Sequence, residues 1–206
     1  YWKKHIYVDA FQQDAVRHLD LDILSSSASI VFVNGEYWGV MNARERPDRY
    51  YFESHYDIDQ QDVVIHERHD GTVTTGFSTD SVHYMKMRNF ICNNDMSIQS
   101  NFDSAATYMD TENFAKLFMA HIYVNNTDWT IVDRKCWRKR TNSYLPQAAY
   151  GHDGRFRWIF YDLDHGYVDE IDDKIDEYMT DNSASTCMFR SLMTHDGFKK
   201  YWINLM

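Results

Sequence analysis

Val31-Phe32-Val33-Asn34-Gly35-Glu36-Tyr37-Trp38-Gly39-Val40 is the stretch on which the fold turns. Residues 30–33 and 36–43 are β-prone runs separated by Asn-Gly. That pair supplies the two positive-φ residues a type I′ turn demands, so a β-hairpin is predicted. Downstream, Pro47 closes the hairpin's neighbourhood and Asp48 is placed to cap a short helix through Tyr51, Phe52 and Tyr56. Upstream, residues 9–19 put Ala10, Phe11, Ala15, Val16 and Leu19 mostly on one side of a helix, and residues 25–27 read as a serine-rich turn.

Further along, Val63-Val64-Ile65 predicts a strand and Asp70-Gly71 a turn. Residues 77–94 are ambiguous, although Tyr84, Met87 and Ile91 suit one helical face. A well-marked helix starts at Asp110 or Thr111, with Phe114, Leu117, Phe118, His121 and Ile122 in one stripe. It runs into a polar loop, Asn125-Asn126-Thr127-Asp128-Trp129. Residues 136–140 and 155–163 predict strands, the second alternating Phe156, Trp158 and Phe160 against Arg155 and Arg157. Residues 187–205 hold two short helical patterns. Strands dominate the first part and helices the second, an α+β arrangement.

Composition narrows the function. Hydrophobic residues make up 44% of the 206 and aromatics 16%, enough to bury a core and exclude a disordered chain. No apolar run approaches the roughly 20 residues a membrane span needs. The net charge of −10 argues against nucleic acid as partner and suits a basic peptide or a metal-bound small molecule. Cys92, Cys136 and Cys187 lie far apart with no CxxC pair, which argues against a zinc site and a dense disulfide framework and leaves one disulfide open. The ten histidines lack HxxxH or HExxH spacing and read as surface or packing residues. Trp38, Trp129, Trp137 and Trp158 read as core. The acidic run at 169–177 reads as a solvated segment, or else as a docking surface for a Lys/Arg-rich substrate.

Two acidic clusters carry candidate chemistry. Asp128 follows the long helix, with Asp133 five residues on. Asp162-Leu163-Asp164-His165-Gly166 follows an apolar strand. In phosphoryl transfer one carboxylate takes or positions the hydroxyl proton, and others hold Mg²⁺ on the nucleotide phosphates. A kinase catalytic loop has Asp, four residues, then Asn, and its metal loop has Asp-Phe-Gly. Here Asp133 stands for the Asn and His165 for the Phe. Each pattern alone is common by chance. Arg44, at the end of the hairpin strand, is a candidate phosphate ligand with Glu53 as its orienting partner; the plainer reading is a surface ion pair, with Lys86 an alternative cation. Paired carboxylates across a sugar-sized groove would instead suit a glycoside hydrolase.

Taken together, the blocks resemble one family. The hairpin, followed by Arg44-Glu45-Arg46-Pro47-Asp48, looks like the "NGEYWG…RE" hairpin of CotH (spore coat protein H) kinase proteins. Asn125 to Trp129 with Lys135 to Arg138 is similar to the family's "NTDW…KYWR" segment, and residues 157–166 to its "RWILYDLDFGF" segment. Met188-Phe189-Arg190 through Phe198 resembles the helices that follow. The likeness runs over about residues 9–203. It departs at Thr130-Ile131-Val132-Asp133, where the family often shows Pro-Gly-Asn-Asn. The resemblance implies a divergent atypical protein-kinase-like fold and one domain over 1–206, split into lobes near 1–95 and 96–206 around a nucleotide cleft. It also implies a piece of a longer chain, from which the strands expected upstream are missing. The implied reaction is transfer of the ATP γ-phosphoryl group to Ser or Thr of a protein substrate, with one rich in Ser, Lys and Arg as the candidate. Asp128 would be catalytic. Asp164, with Asp162 close behind, and Asp133 would be Mg²⁺ ligands, and Arg44 and Glu53 would bind nucleotide. Asp128 and Asp164 should meet at the cleft. The alternative is a non-catalytic surface or coat protein that binds a partner, and the family points to a spore-coat or cell-surface location.

Overall fold

The computed structural model describes residues 7–127, 129–130, 134–167 and 173–206. Strands β1 (Ser26–Val33) and β2 (Glu36–Arg44) pair antiparallel around the Asn34-Gly35 turn, whose φ values of 52° and 84° are the two positive ones a type I′ turn needs. The pairing begins at Ser26, so the expected serine turn is instead the first rung of the ladder. Continuous pairing with β2 from Ser26 to Val33 overrides the turn preference of the serines.

Before the hairpin lies α1 (Val8–Ala15); after it, Asp48 caps α2 (Arg49–Tyr56) by accepting from the Tyr50 and Tyr51 amides. Strands β3 (Val63–Glu67) and β4 (Thr72–Thr75) form a second hairpin through Gly71. The ambiguous 77–94 stretch resolves into α3 (Ser81–Asn93), with Tyr84, Met87 and Ile91 buried as one face. Helix α4 (Gln99–Tyr108), which the sequence reading passed over, leads to α5 (Thr111–Tyr123), capped by Asp110. Strands β5 (Lys135–Lys139) and β6 (Arg157–Ile159) follow, then α6 (Lys174–Thr180), α7 (Cys187–Leu192) and α8 (Asp196–Leu205). Among the described residues the fold is α+β, with two antiparallel sheets and eight α-helices. No described helix is long and apolar enough to cross a membrane.

The larger sheet has the order β4-β3-β5-β6 and is covered on both sides. Val63, Ile65, Trp137 and Ile159 join Leu24, Tyr51, Phe52 and Ile58 in a small core beside α2. From the other face, Cys136 and Trp158 enter a larger core with Phe114, Phe118, Phe189 and Trp202 from α5, α7 and α8. A sheet without a solvated face has no reason to alternate apolar and polar residues. That is why the predicted alternation at 155–163 fails. Regular strand covers Arg157–Ile159 alone, and Arg157 is fully buried. Its guanidinium survives there because it bonds both Asp153 carboxylate oxygens at 2.8 Å and lies under the Tyr150 ring at 4.1 Å.

Two apolar expectations also change. Phe11 is 65% exposed, and the buried residues of α1 are Asp9, Gln12 and Gln13. Trp38 is 62% exposed on a hairpin that forms a sheet by itself, so it is not core; Trp129, Trp137 and Trp158 are. The cysteine question closes with one disulfide, Cys92–Cys187, tying α3 to α7, while Cys136 is free and buried. Of the acidic run, residues 169–172 lie outside the described residues. Asp173 caps α6, and Asp176 and Glu177 are exposed.

Candidate functional site

α5 and β6 lie side by side, and the loops that follow them form the candidate site. Trp158 N–H donates to Asn113 Oδ1 at 2.7 Å, locking strand to helix. Two bonds then join the loops: Asn126 Nδ2 donates to the Asp162 carbonyl at 3.2 Å, and Tyr167 N–H donates to the Val124 carbonyl at 2.8 Å. The end of α5 and the Asn125-Asn126 turn that follows it thus lie beside the Asp162–Tyr167 loop. Asn125, Asp162 and Tyr167 have φ of 48°, 57° and 53°. Asn and Asp tolerate this left-handed region, whereas for Tyr it costs on the order of 1 kcal/mol or more and persists only where the surroundings impose it.

Beneath the loops is an aromatic floor. The His121 ring stacks on Trp129 at 4.0 Å and meets Phe160 edge-on at 4.8 Å. Burial holds the His121 pKa well below its ordinary value, so the ring is neutral. Its Nδ1, 3.3 Å from Asn126 Nδ2, therefore accepts. Trp129 Nε1 donates to the Tyr178 hydroxyl at 2.8 Å, which ties α6 to the same floor. Trp129 is fully buried, as its reading as core predicts, and anchors the segment it sits in.

The buried polar face of α1 closes the site from the other side. Asp9 Oδ1 accepts from the Leu163 amide at 3.0 Å, and Gln12 Nε2 donates to the Leu163 carbonyl at 2.9 Å. Leu163 lies between Asp162 and Asp164, so α1 holds both backbone groups of the residue between the two carboxylates. Gly166 lies against the Gln12 side chain, and any Cβ there would collide with the amide. The other Asp9 oxygen pairs with Arg44 at 2.6 Å. Gln13 Oε1 takes the Leu24 amide at 3.1 Å. These three residues were missed because the search on residues 9–19 was for an apolar stripe. The signal was present as Asp, Gln and Gln at i, i+3 and i+4, one polar face of one turn.

The expected site residues distribute as follows. Asp128 and Asp133 lie outside the described residues, and so does the distance from Asp128 to Asp164. Asp162 and Asp164 share one loop and are partly exposed. Arg44 is drawn toward that loop through Asp9, not through Glu53, whose carboxylate instead accepts from Gln60 at 2.6 Å. Lys86 lies over the Tyr108 ring of α4. A cleft of about 680 Å³ opens at the N-terminal end of α5, with Asp20, Tyr56, Glu112 and Lys116 in its walls, and holds none of the expected residues.

Asp162 and Asp164 carry hard carboxylate oxygens, the donor type Mg²⁺ takes, while no group of three or more His, Cys, Asp or Glu converges among the described residues. Zinc prefers a closed set of nitrogen and sulfur ligands, whereas Mg²⁺ takes one or two carboxylates and completes its shell with water and phosphate.

The architecture defines an α+β protein in which the turn after a buried helix is bonded to the acidic loop after a buried strand. The model of the CotH kinase protein family matches residues 5–206, and the chain belongs to that family. No curated protein matches it significantly.

Proposed function

We propose that this chain is an atypical protein kinase that transfers the γ-phosphoryl group of ATP to a Ser or Thr hydroxyl of a protein substrate. The observation that carries the reading is the joining of the turn after α5 to the Asp162–Tyr167 loop, Asn126 to Asp162 and Tyr167 to Val124, within a chain of the CotH family. Asp164, with Asp162 and Asp133, would hold Mg²⁺, which when bound offsets the negative charge of the nucleotide phosphates. Asp128, just after the Asn125–Asn126 turn, would take the proton of the substrate hydroxyl as it attacks. Arg44 would neutralise phosphate charge from the hairpin side. The buried floor of His121, Trp129 and Phe160 supports rigid placement of both loops.

A net charge of −10 favours a basic substrate segment over an acidic one. The Cys92–Cys187 disulfide suits a protein that matures in an oxidising compartment, in keeping with a coat or cell-surface location. The test is thermal stability with ATP, with and without Mg²⁺, followed by phosphate incorporation into a Ser- and Lys-rich peptide. Stabilisation that requires both ATP and Mg²⁺, together with incorporation, is expected. Absence of any nucleotide effect at millimolar Mg²⁺ would replace this reading with the non-catalytic one, a partner-binding coat or surface protein.

A further inference from the structure

We propose that Asp9 and Gln12 are positioning residues: from α1 they clamp the backbone between Asp162 and Asp164 and so set the spacing of the two carboxylates. This rests on the reading of those carboxylates as the Mg²⁺ site, although the clamp itself is a feature of the chain alone. Leu163 is gripped at both polar backbone atoms, its amide by Asp9 Oδ1 at 3.0 Å and its carbonyl by Gln12 Nε2 at 2.9 Å. Gln12 Nε2 also lies 3.5 Å from the Gly166 carbonyl, so one side-chain amide spans the loop. Both of its partners are carbonyls, which fixes the amide nitrogen toward the loop.

The grip is polar where helix packing is usually apolar. Asp9, Gln12 and Gln13 are buried while Phe11 is 65% exposed, so α1 presents hydrogen bonds to the loop and leaves its largest apolar side chain in water. Burying three polar side chains is costly unless they find partners, and here each bonds backbone: Asp9 the Leu163 amide, Gln12 the Leu163 carbonyl that also accepts from Gly166, and Gln13 the Leu24 amide. A helix that served only to cover the core would bury Phe11. The loop needs such a clamp because Asp162 and Tyr167 hold positive φ on either side of it, conformations that relax if the constraint is released. Arg44 completes the arrangement. Its ion pair with Asp9 at 2.6 Å connects the β1–β2 hairpin to the same carboxylate that holds Leu163.

The experiment uses the full chain and the variants Asp9→Ala, Asp9→Asn and Gln12→Leu. Amide exchange across residues 160–167 is followed without nucleotide, and the Mg²⁺ concentration for half-maximal ATP binding is measured separately. Asp9→Ala and Gln12→Leu should speed exchange of the loop by about tenfold while leaving α5 protected. They should raise the Mg²⁺ requirement by about fivefold, the effect of losing one buried hydrogen bond. Asp9→Asn retains an acceptor for the Leu163 amide but loses the negative charge that pairs with Arg44, so its loop exchange should rise less than that of Asp9→Ala. Unchanged loop exchange in both Asp9→Ala and Gln12→Leu overturns the proposal, whatever nucleotide does. A variant with α5 unprotected has unfolded, and Asp9→Asn then decides: wild-type loop exchange supports the clamp by the retained acceptor, and exchange as fast as that of the unfolded variant overturns it. Wild-type protein that binds no ATP refutes the kinase reading, while the exchange data still decide the clamp.

Discussion

Removing the Cys92–Cys187 disulfide should cost this protein a large part of its stability. The bridge joins the C-terminal turn of α3 to the start of α7 across a sequence separation of 95 residues. Closing a loop of that size in the unfolded chain lowers its conformational entropy by an amount worth about 4.7 kcal/mol at 25 °C. Measured losses run smaller, about 2–5 kcal/mol, because reduced unfolded chains keep some structure. Part of the docking of α7 on α3 survives reduction, since Arg88 still donates to the Ala184 carbonyl at 3.3 Å and Met188, Phe189 and Leu192 stay in the core. A loss of about 3 kcal/mol is therefore expected for the Cys92→Ala/Cys187→Ala double variant. Urea unfolding followed by tryptophan fluorescence measures it, with mass spectrometry under alkylation to establish the bridge beforehand. Cys136 serves as internal control: burial pushes its thiol pKa up strongly, so it should alkylate only after unfolding. A difference below about 1 kcal/mol, with the bridge intact in the starting protein, would refute the loop-entropy reasoning.

Three further outcomes follow from other parts of the molecule. Asp164→Asn should weaken Mg²⁺-dependent ATP binding, whereas Asp128→Asn should leave binding nearly intact and cut phosphoryl transfer by a factor on the order of 10² or more; equal loss of binding in both would sink the division of roles. Asp153→Asn, which strips the bidentate partner from the fully buried Arg157, should cost about 3 kcal/mol in urea unfolding, with Asp110 at 3.2 Å limiting the damage; a loss under 1 kcal/mol would mean that Arg157 is not held by this pair. Burial, aided by Arg138 and Lys86, lowers the His83 pKa to about 4 from its ordinary 6.5, so its contribution is present above about pH 6.5 and fades as pH falls toward 4. His83→Gln should therefore flatten the melting temperature's fall between pH 6.5 and 4.5 by an amount worth about 1 kcal/mol or less, given that the ring is half exposed, and identical profiles would count against it.

Local chemistry made much of the fold legible before any coordinates. Asn34-Gly35 has one favoured geometry between β-prone runs, Asp48 and Asp110 can each cap only a helix that starts beside them, and the α5 stripe has a helical period. Each is decided within about ten residues. The acidic loops were also visible as sequence, because carboxylates after apolar elements stand out by composition alone. Nothing local told that both faces of the β3–β5–β6 sheet are covered, which buried Arg157 and erased the alternation expected there. Nor did it tell that α1 would turn Asp9 and Gln12 inward, since their partners lie 154 and 151 residues away in the Leu163 backbone. Likewise Arg44 chose Asp9 over Glu53, although Glu53 is far closer along the chain. Backbone preferences are set by neighbours in sequence and can be read from them. Which polar group meets which across the core depends on how the elements pack, and only the tertiary structure decided that.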